Sequence, residues 1–150
     1  MEIEELKLSL AKLKIDSKPQ WGKMTSVQML KHCNRQAKLY CNEYRSNVYT
    51  MFLANTIGKL HLFYVKYYLN YNIYRYKKNS AGLKFLDTTK LLNLDFEEEK
   101  QKLIQRHNYV SNYQKKFIVN SMHGWVTNKT FKKNVFAHIQ YHLNQFGVLN

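Results

Sequence analysis

The stretch TNKTFKKNVFAHIQYHLNQFG, residues 127–147, decides how the chain is read. Thr127 suits a helix N-cap, because its hydroxyl can accept from the free amides of a first turn, and Gly147 suits the residue just past a helix end. Between them Val135, His138, Ile139, His142, Leu143 and Phe146 recur three and four apart, on one helix face. That face should bury hydrocarbon, yet it carries two imidazoles one turn apart. A histidine pair at i, i+4 can direct two ring nitrogens at one cation. Alone the spacing is weak, since core histidines satisfied by ordinary hydrogen bonds share it.

The stretch WGKMTSVQMLKHC, residues 21–33, supplies a third imidazole. Thr25 and Gln28 form the pattern of a reciprocal capping box, so a helix should begin there and run to about Tyr44. His32 lies near its apolar side, marked by Met29, Leu30, Cys33 and Ala37. In a bundle this helix could face the last one. Three neutral imidazoles would leave a metal with an open position for water or substrate. Gln145, seven residues beyond His138, returns to the same face, where its amide could bond a ligand or a metal-bound water. Cys33 is a poor fourth ligand, because adjacent helical residues diverge by roughly 100°. A buried, inert thiol is the simpler expectation.

Elsewhere, Ile3, Leu6, Leu10 and Leu13 predict an amphipathic helix over 2–14, and Pro19 and Gly22 break the chain after it. Residues 48–76 predict one long helix, bent or broken near Gly58. A strand over HLFYVKYYL, residues 61–69, is the lesser alternative. Residues 77–94 read as an extended connection, Asp95 as the cap of a helix with acids in its first turn, and SMHGWV, residues 121–126, as a loop. The sum is an all-α chain, a bundle of four main helices with a short leading one.

A length of 150 residues fits a single domain over 1–150, and with 45% apolar residues it should fold without disulfide or metal support. The net charge of +14 would attract nucleic acid, anionic membrane or an acidic small molecule. Its basic residues are spread along the chain in short pairs such as Lys77-Lys78, so specific nucleic-acid binding is not the favoured reading. The aromatic residues are expected mainly in the core. Cys33 and Cys41, about 12 Å apart along one helix, cannot form a disulfide, which suits a cytoplasmic setting. The acidic start MEIEELKLSL is unlike a signal peptide. The most apolar run, residues 60–74, carries Lys66 and is short for a bilayer crossing, so no membrane partner is expected. An exposed helix face would suit a homodimer.

WGKMTSVQMLKHC and HGWVTNKTFKKNVFAHIQYHLNQFGV together resemble the DinB-like superfamily, in a branch known only as a domain of unknown function. Trp21, Thr25 and His32 match its first motif, and His138, His142, Gln145 and Gly147 its second. The likeness extends through GLKFLDTTKLLNLDFEEEKQKL and so spans nearly the whole chain. It implies an up-down four-helix bundle holding a divalent metal, often nickel or zinc, on His32, His138 and His142. It also implies metal-dependent transferase chemistry with a low-molecular-weight thiol; a non-catalytic stress-response or binding module is the alternative. Many relatives have His-His where this chain has Tyr141-His142, and the step before the last helix reads HGWV here. Trp21, Tyr141, Gln145 and His123 are therefore the expected pocket residues around the metal. His61 and His107 are expected in ordinary polar roles, and no residue is singled out as catalytic.

Overall fold

A computed structural model describes residues 1–44, 46–80 and 82–149. Helix α2, Ser26–Tyr40, starts at the capping box read from the sequence: Thr25 Oγ1 accepts from the Gln28 amide at 3.3 Å, and Gln28 Oε1 accepts from the Thr25 amide at 3.0 Å. Gln28 also donates to the carbonyls of Thr89 and Leu91, strapping the 84–91 segment to α2. Helix α6, Asn128–Gln145, begins at Thr127, whose hydroxyl accepts from the Thr130 amide. It ends where Val148 donates to the Leu143 carbonyl and Gly147 to that of Asn144, with Gly147 at φ +68°. This pair of bonds satisfies carbonyls that a helix end leaves free, and the positive φ costs glycine nothing.

Helix α5, Phe96–Ser111, is capped by the Asp95 carboxylate at 2.7 Å from the Glu98 amide. Helix α1, Ile3–Lys12, lays Leu6 and Leu10 into the core. The core joins Met29, Leu30, Cys33 and Ala37 of α2 to Leu103 and Val110 of α5 and to Phe131, Val135, Ile139 and Leu143 of α6. All ten are fully buried; burial of each large side chain among them stabilises by about 1.5–3 kcal/mol. Glu99 lies within this interface, taking Lys31 at 2.8 Å and Asn34 at 2.8 Å. Burial alone would raise its pKa, but those two donors more than offset it and hold the carboxyl below its usual range.

The chain is mostly helical, but not wholly. Residues expected as a loop belong to an antiparallel hairpin, Phe117–Asn120 (β1) with Gly124–Thr127 (β2), in which Phe117 pairs with Thr127 and Asn120 with Gly124. Ile118 and Val126 point inward while Val119 and Trp125 face solvent. This two-residue period spans only four residues per strand, too few to stand out in a sequence. Asn120 Oδ1 accepts from the Met122 and His123 amides and so closes the turn.

The long helix expected over 48–76 is divided into α3, Val48–Asn55, and α4, Ile57–Phe63, followed by a π-helical turn at Tyr64–Tyr68 and a 3-10 turn at Ile73–Arg75. Thr56 is the joint, at φ −111° and ψ −87°. Gly58 then approaches the hairpin so closely that a Cβ would collide with the Met122 carbonyl. Asn70 and Tyr71, both at positive φ, end the helical run. No strand forms over 61–69. Nor do the aromatic residues here fill the core: Leu62, Val65 and Leu69 turn inward, whereas Phe63, Tyr64, Tyr67 and Tyr68 are exposed. Among the described residues no helix is long and apolar enough to cross a membrane.

Candidate metal centre

His138 and His142 sit one turn apart on α6, and His32 reaches them from α2. Ring centroids are 5.1 Å apart for His32 and His138, 4.7 Å for His32 and His142, and 4.6 Å for His138 and His142. One ring nitrogen from each lies within 4.8 Å of the others. A divalent ion bound at about 2.1 Å would separate its nitrogens by about 3.3–4.2 Å, so closure by about 1 Å would complete such a site.

Hydrogen bonds decide which nitrogens are free. Nδ1 of His32 is 2.9 Å from the Leu86 carbonyl, which can only accept, so this nitrogen carries the proton. Nδ1 of His142 is 2.7 Å from Gln145 Oε1. Gln145 Nε2 donates to the Trp21 carbonyl at 2.6 Å, which fixes the amide with its oxygen toward His142 and again places the proton on Nδ1. Both rings therefore keep Nε2 as an unprotonated donor. Nε2 of His138 is enclosed and has no hydrogen-bond partner. An orphaned buried nitrogen is costly unless something occupies the space before it, and this nitrogen with the unprotonated Nε2 of His32 and His142 makes a donor set that fits a divalent cation.

Burial, joined by the neighbouring imidazoles, pushes His138 well below its usual pKa and His142 to about 3; burial also lowers His32. The rings stay neutral through the physiological range, as ligation requires. No carboxylate belongs to the group, so a divalent ion held there would keep its full charge as a Lewis acid.

The support around the histidines is a set of cross-chain bonds. Gln20 donates its amide to the Gln145 carbonyl at 2.8 Å. Gly22, at φ +87°, leaves room for the Gln145 amide that a Cβ would occupy. Trp21 Nε1 donates to the Tyr141 hydroxyl at 3.3 Å, and Tyr141 donates to the Lys77 carbonyl. The Tyr141 ring lies 5.0 Å from that of His142, and Lys78 stands over the Trp21 ring at 4.2 Å. Trp21, Tyr141 and Gln145 thus form a linked set that meets the centre at His142.

His123 does not join them. It is fully buried against Tyr40 and pairs with His61, Nε2 to Nδ1 at 3.0 Å. Tyr40 is eight residues beyond His32, about 12 Å along α2, so His123 belongs to the hairpin end of that helix. His61, expected in an ordinary polar role, makes this hydrogen bond from α4. His107 bonds the Met1 carbonyl at 3.0 Å and stacks on Phe136. Cys33 is buried with its thiol pKa pushed far up by burial, and Cys41 is pushed up to about 11, both unreactive.

Sequence reasoning missed Leu86, because every residue carries a carbonyl and only the fold selects which one meets a histidine. It read Gly22 only as a turn residue and not as the gap that admits the Gln145 amide. Comparison with protein-family profiles, with characterised proteins and with solved structures finds no match to this chain.

Proposed function

We propose that this chain is a DinB-like protein, a single domain built as an up-down four-helix bundle, in which His32, His138 and His142 hold a divalent metal ion. Nickel and zinc suit three imidazole donors. The further reading is a metal-dependent transferase that uses a low-molecular-weight thiol. One observation carries the metal reading: two of the three rings are locked by acceptors on Nδ1, and the third has a buried nitrogen with no partner. A bound cation would lower a thiol's pKa and hold it as thiolate for attack on an electrophile.

The chain's own residues supply orientation. The Leu86 carbonyl and the Gln145 amide keep Nε2 of His32 and His142 available, and Trp21 holds Gln145 in turn. Tyr141 and Trp21 wall the neighbouring space. The transferase reading rests on the resemblance of the two histidine motifs.

The test is elemental analysis of protein purified without a histidine tag, beside a His142→Ala variant, followed by titration of the metal-loaded protein with small thiols. Stoichiometric metal lost in the variant, with thiol binding, supports the whole reading. Metal without thiol binding leaves the non-catalytic module, and absence of metal from both proteins removes the metal centre.

A further inference from the structure

The α3–α4 arm and its π-helical extension are apolar on both sides, although only one side meets the core. Leu62, Val65 and Leu69 are buried, while Ile57, Leu60, Phe63, Tyr64, Tyr67 and Tyr68 are between 47% and 73% exposed. The Phe63 and Tyr67 rings lie 4.8 Å apart, tilted, and Tyr64 stacks on Tyr68 at 5.1 Å, so the outward rings form two pairs along one ridge of the arm. Val48, Tyr49 and Phe52 of α3 are exposed as well. At roughly 100 Å² apiece the six side chains from Ile57 to Tyr68 alone present on the order of 600 Å², at the upper end of the roughly 300–600 Å² typical of the largest apolar patch on a soluble monomer. A helix apolar all round is normally covered.

Charge identifies the cover. Between Glu43 and Asp87 the chain has no acidic residue, while Lys59 and Lys66 lie on the arm itself. Lys66 stands 4.8 Å over the Tyr67 ring, and Lys59 reaches from α4 to the Trp125 carbonyl. A second copy would bring two acid-free, like-charged segments together. Nucleic acid would use the rings but gain little from Val48, Ile57 and Leu60. A lipid surface with anionic headgroups takes both, burying aliphatic and aromatic side chains at the acyl boundary while lysines meet phosphate.

We propose that the ridge from Ile57 to Tyr68, with the exposed face of α3, docks on an anionic membrane surface without crossing it. This departs from the expectation of no membrane partner, which rested on the length of the apolar run and not on which of its sides is covered.

The test is co-sedimentation with phosphatidylcholine vesicles prepared with and without phosphatidylglycerol. The variants are a combined Leu60→Gln, Phe63→Gln and Tyr67→Gln protein, which leaves net charge unchanged and alters only exposed side chains, and a Lys66→Gln protein. Wild type should sediment with the anionic vesicles and much less with the neutral ones. The triple variant should bind at least about tenfold more weakly, and Lys66→Gln about fivefold more weakly. Equal binding by the triple variant would mean attraction by charge alone and overturn the proposal. So would the absence of vesicle binding, whether the ridge then proves to mediate dimerisation, single-stranded RNA binding or neither.

Discussion

Gln145 accepts a hydrogen bond from His142 at 2.7 Å while donating one to the Trp21 carbonyl at 2.6 Å. One amide thereby couples the orientation of an imidazole on the last helix to the turn that precedes α2. Its geometry allows only one assignment of oxygen and nitrogen, and that assignment sets the proton on His142. Gln145→Leu should weaken metal binding about 10- to 100-fold and cost about 1–3 kcal/mol of stability for the unpaired Trp21 carbonyl. Gln145→Glu, which restores an acceptor to His142 but no donor to Trp21, should retain most of the affinity and lose stability. Competition with a chromogenic chelator and urea denaturation read the two effects separately.

Gly22 is a stringent position, because its φ of +87° disfavours any side chain and the Gln145 amide fills the space where one would go. Gly22→Ala should destabilise by about 1–3 kcal/mol and reduce metal affinity together. Gly82→Ala is the control, since a Cβ there meets nothing. Thermal denaturation of the two variants should differ clearly.

Metal should raise the melting temperature of the wild type, with a stabilisation of about 2.7 kcal/mol when free metal is 100 times its dissociation constant. Alanine at position 32, 138 or 142 should abolish most of that shift. His123→Ala should preserve it, because His123 pairs with His61 and packs on Tyr40 instead. A lost shift in His123→Ala would overturn the separation of the two histidine groups.

Acid should destabilise the metal-free protein well before its carboxylates titrate. Burial, with smaller effects from His61 and Lys59, pushes His123 from the ordinary 6.5 to about 3, and burial also lowers His107. The unfolded chain takes up these protons near pH 6.5, while the folded chain takes them up at lower pH, near 3 for His123. Stability is therefore full above about pH 6.5 and falls as pH drops toward 3, by about 2 kcal/mol for His123 between pH 6.5 and pH 5. Urea midpoints at pH 8 and pH 5 test this, and His123→Asn should reduce the difference without removing it, because His138 and His142 are depressed by burial as well.

The helix ends were the most legible part of the fold. Thr25, Asp95, Thr127 and Gly147 act through bonds to backbone within a turn of themselves, so local sequence carries the whole signal. The hairpin stays hidden because each strand spans only four residues, whereas the break near Gly58 was readable and only its close approach to the Met122 carbonyl, more than sixty residues later, was not. At the candidate site the three histidines could be named from spacing and from the resemblance, and the structure brings their rings together. His123, named as a pocket residue for its nearness in sequence to α6, pairs with His61 and packs on Tyr40, partners that no local spacing reveals.

What the chain determined by itself are the imidazole pair on one face of α6, the third imidazole on the apolar side of α2, and the caps that fix both helices in register, all consequences of a 3.6-residue repeat. The tertiary structure decided which nitrogens are free, because the acceptors are the Leu86 carbonyl and a glutamine oriented by Trp21, 54 and 124 residues from their partners. It also decided that an apolar run expected to lie in the core keeps one side uncovered, since burial depends on where neighbouring elements end and not on hydrophobicity alone.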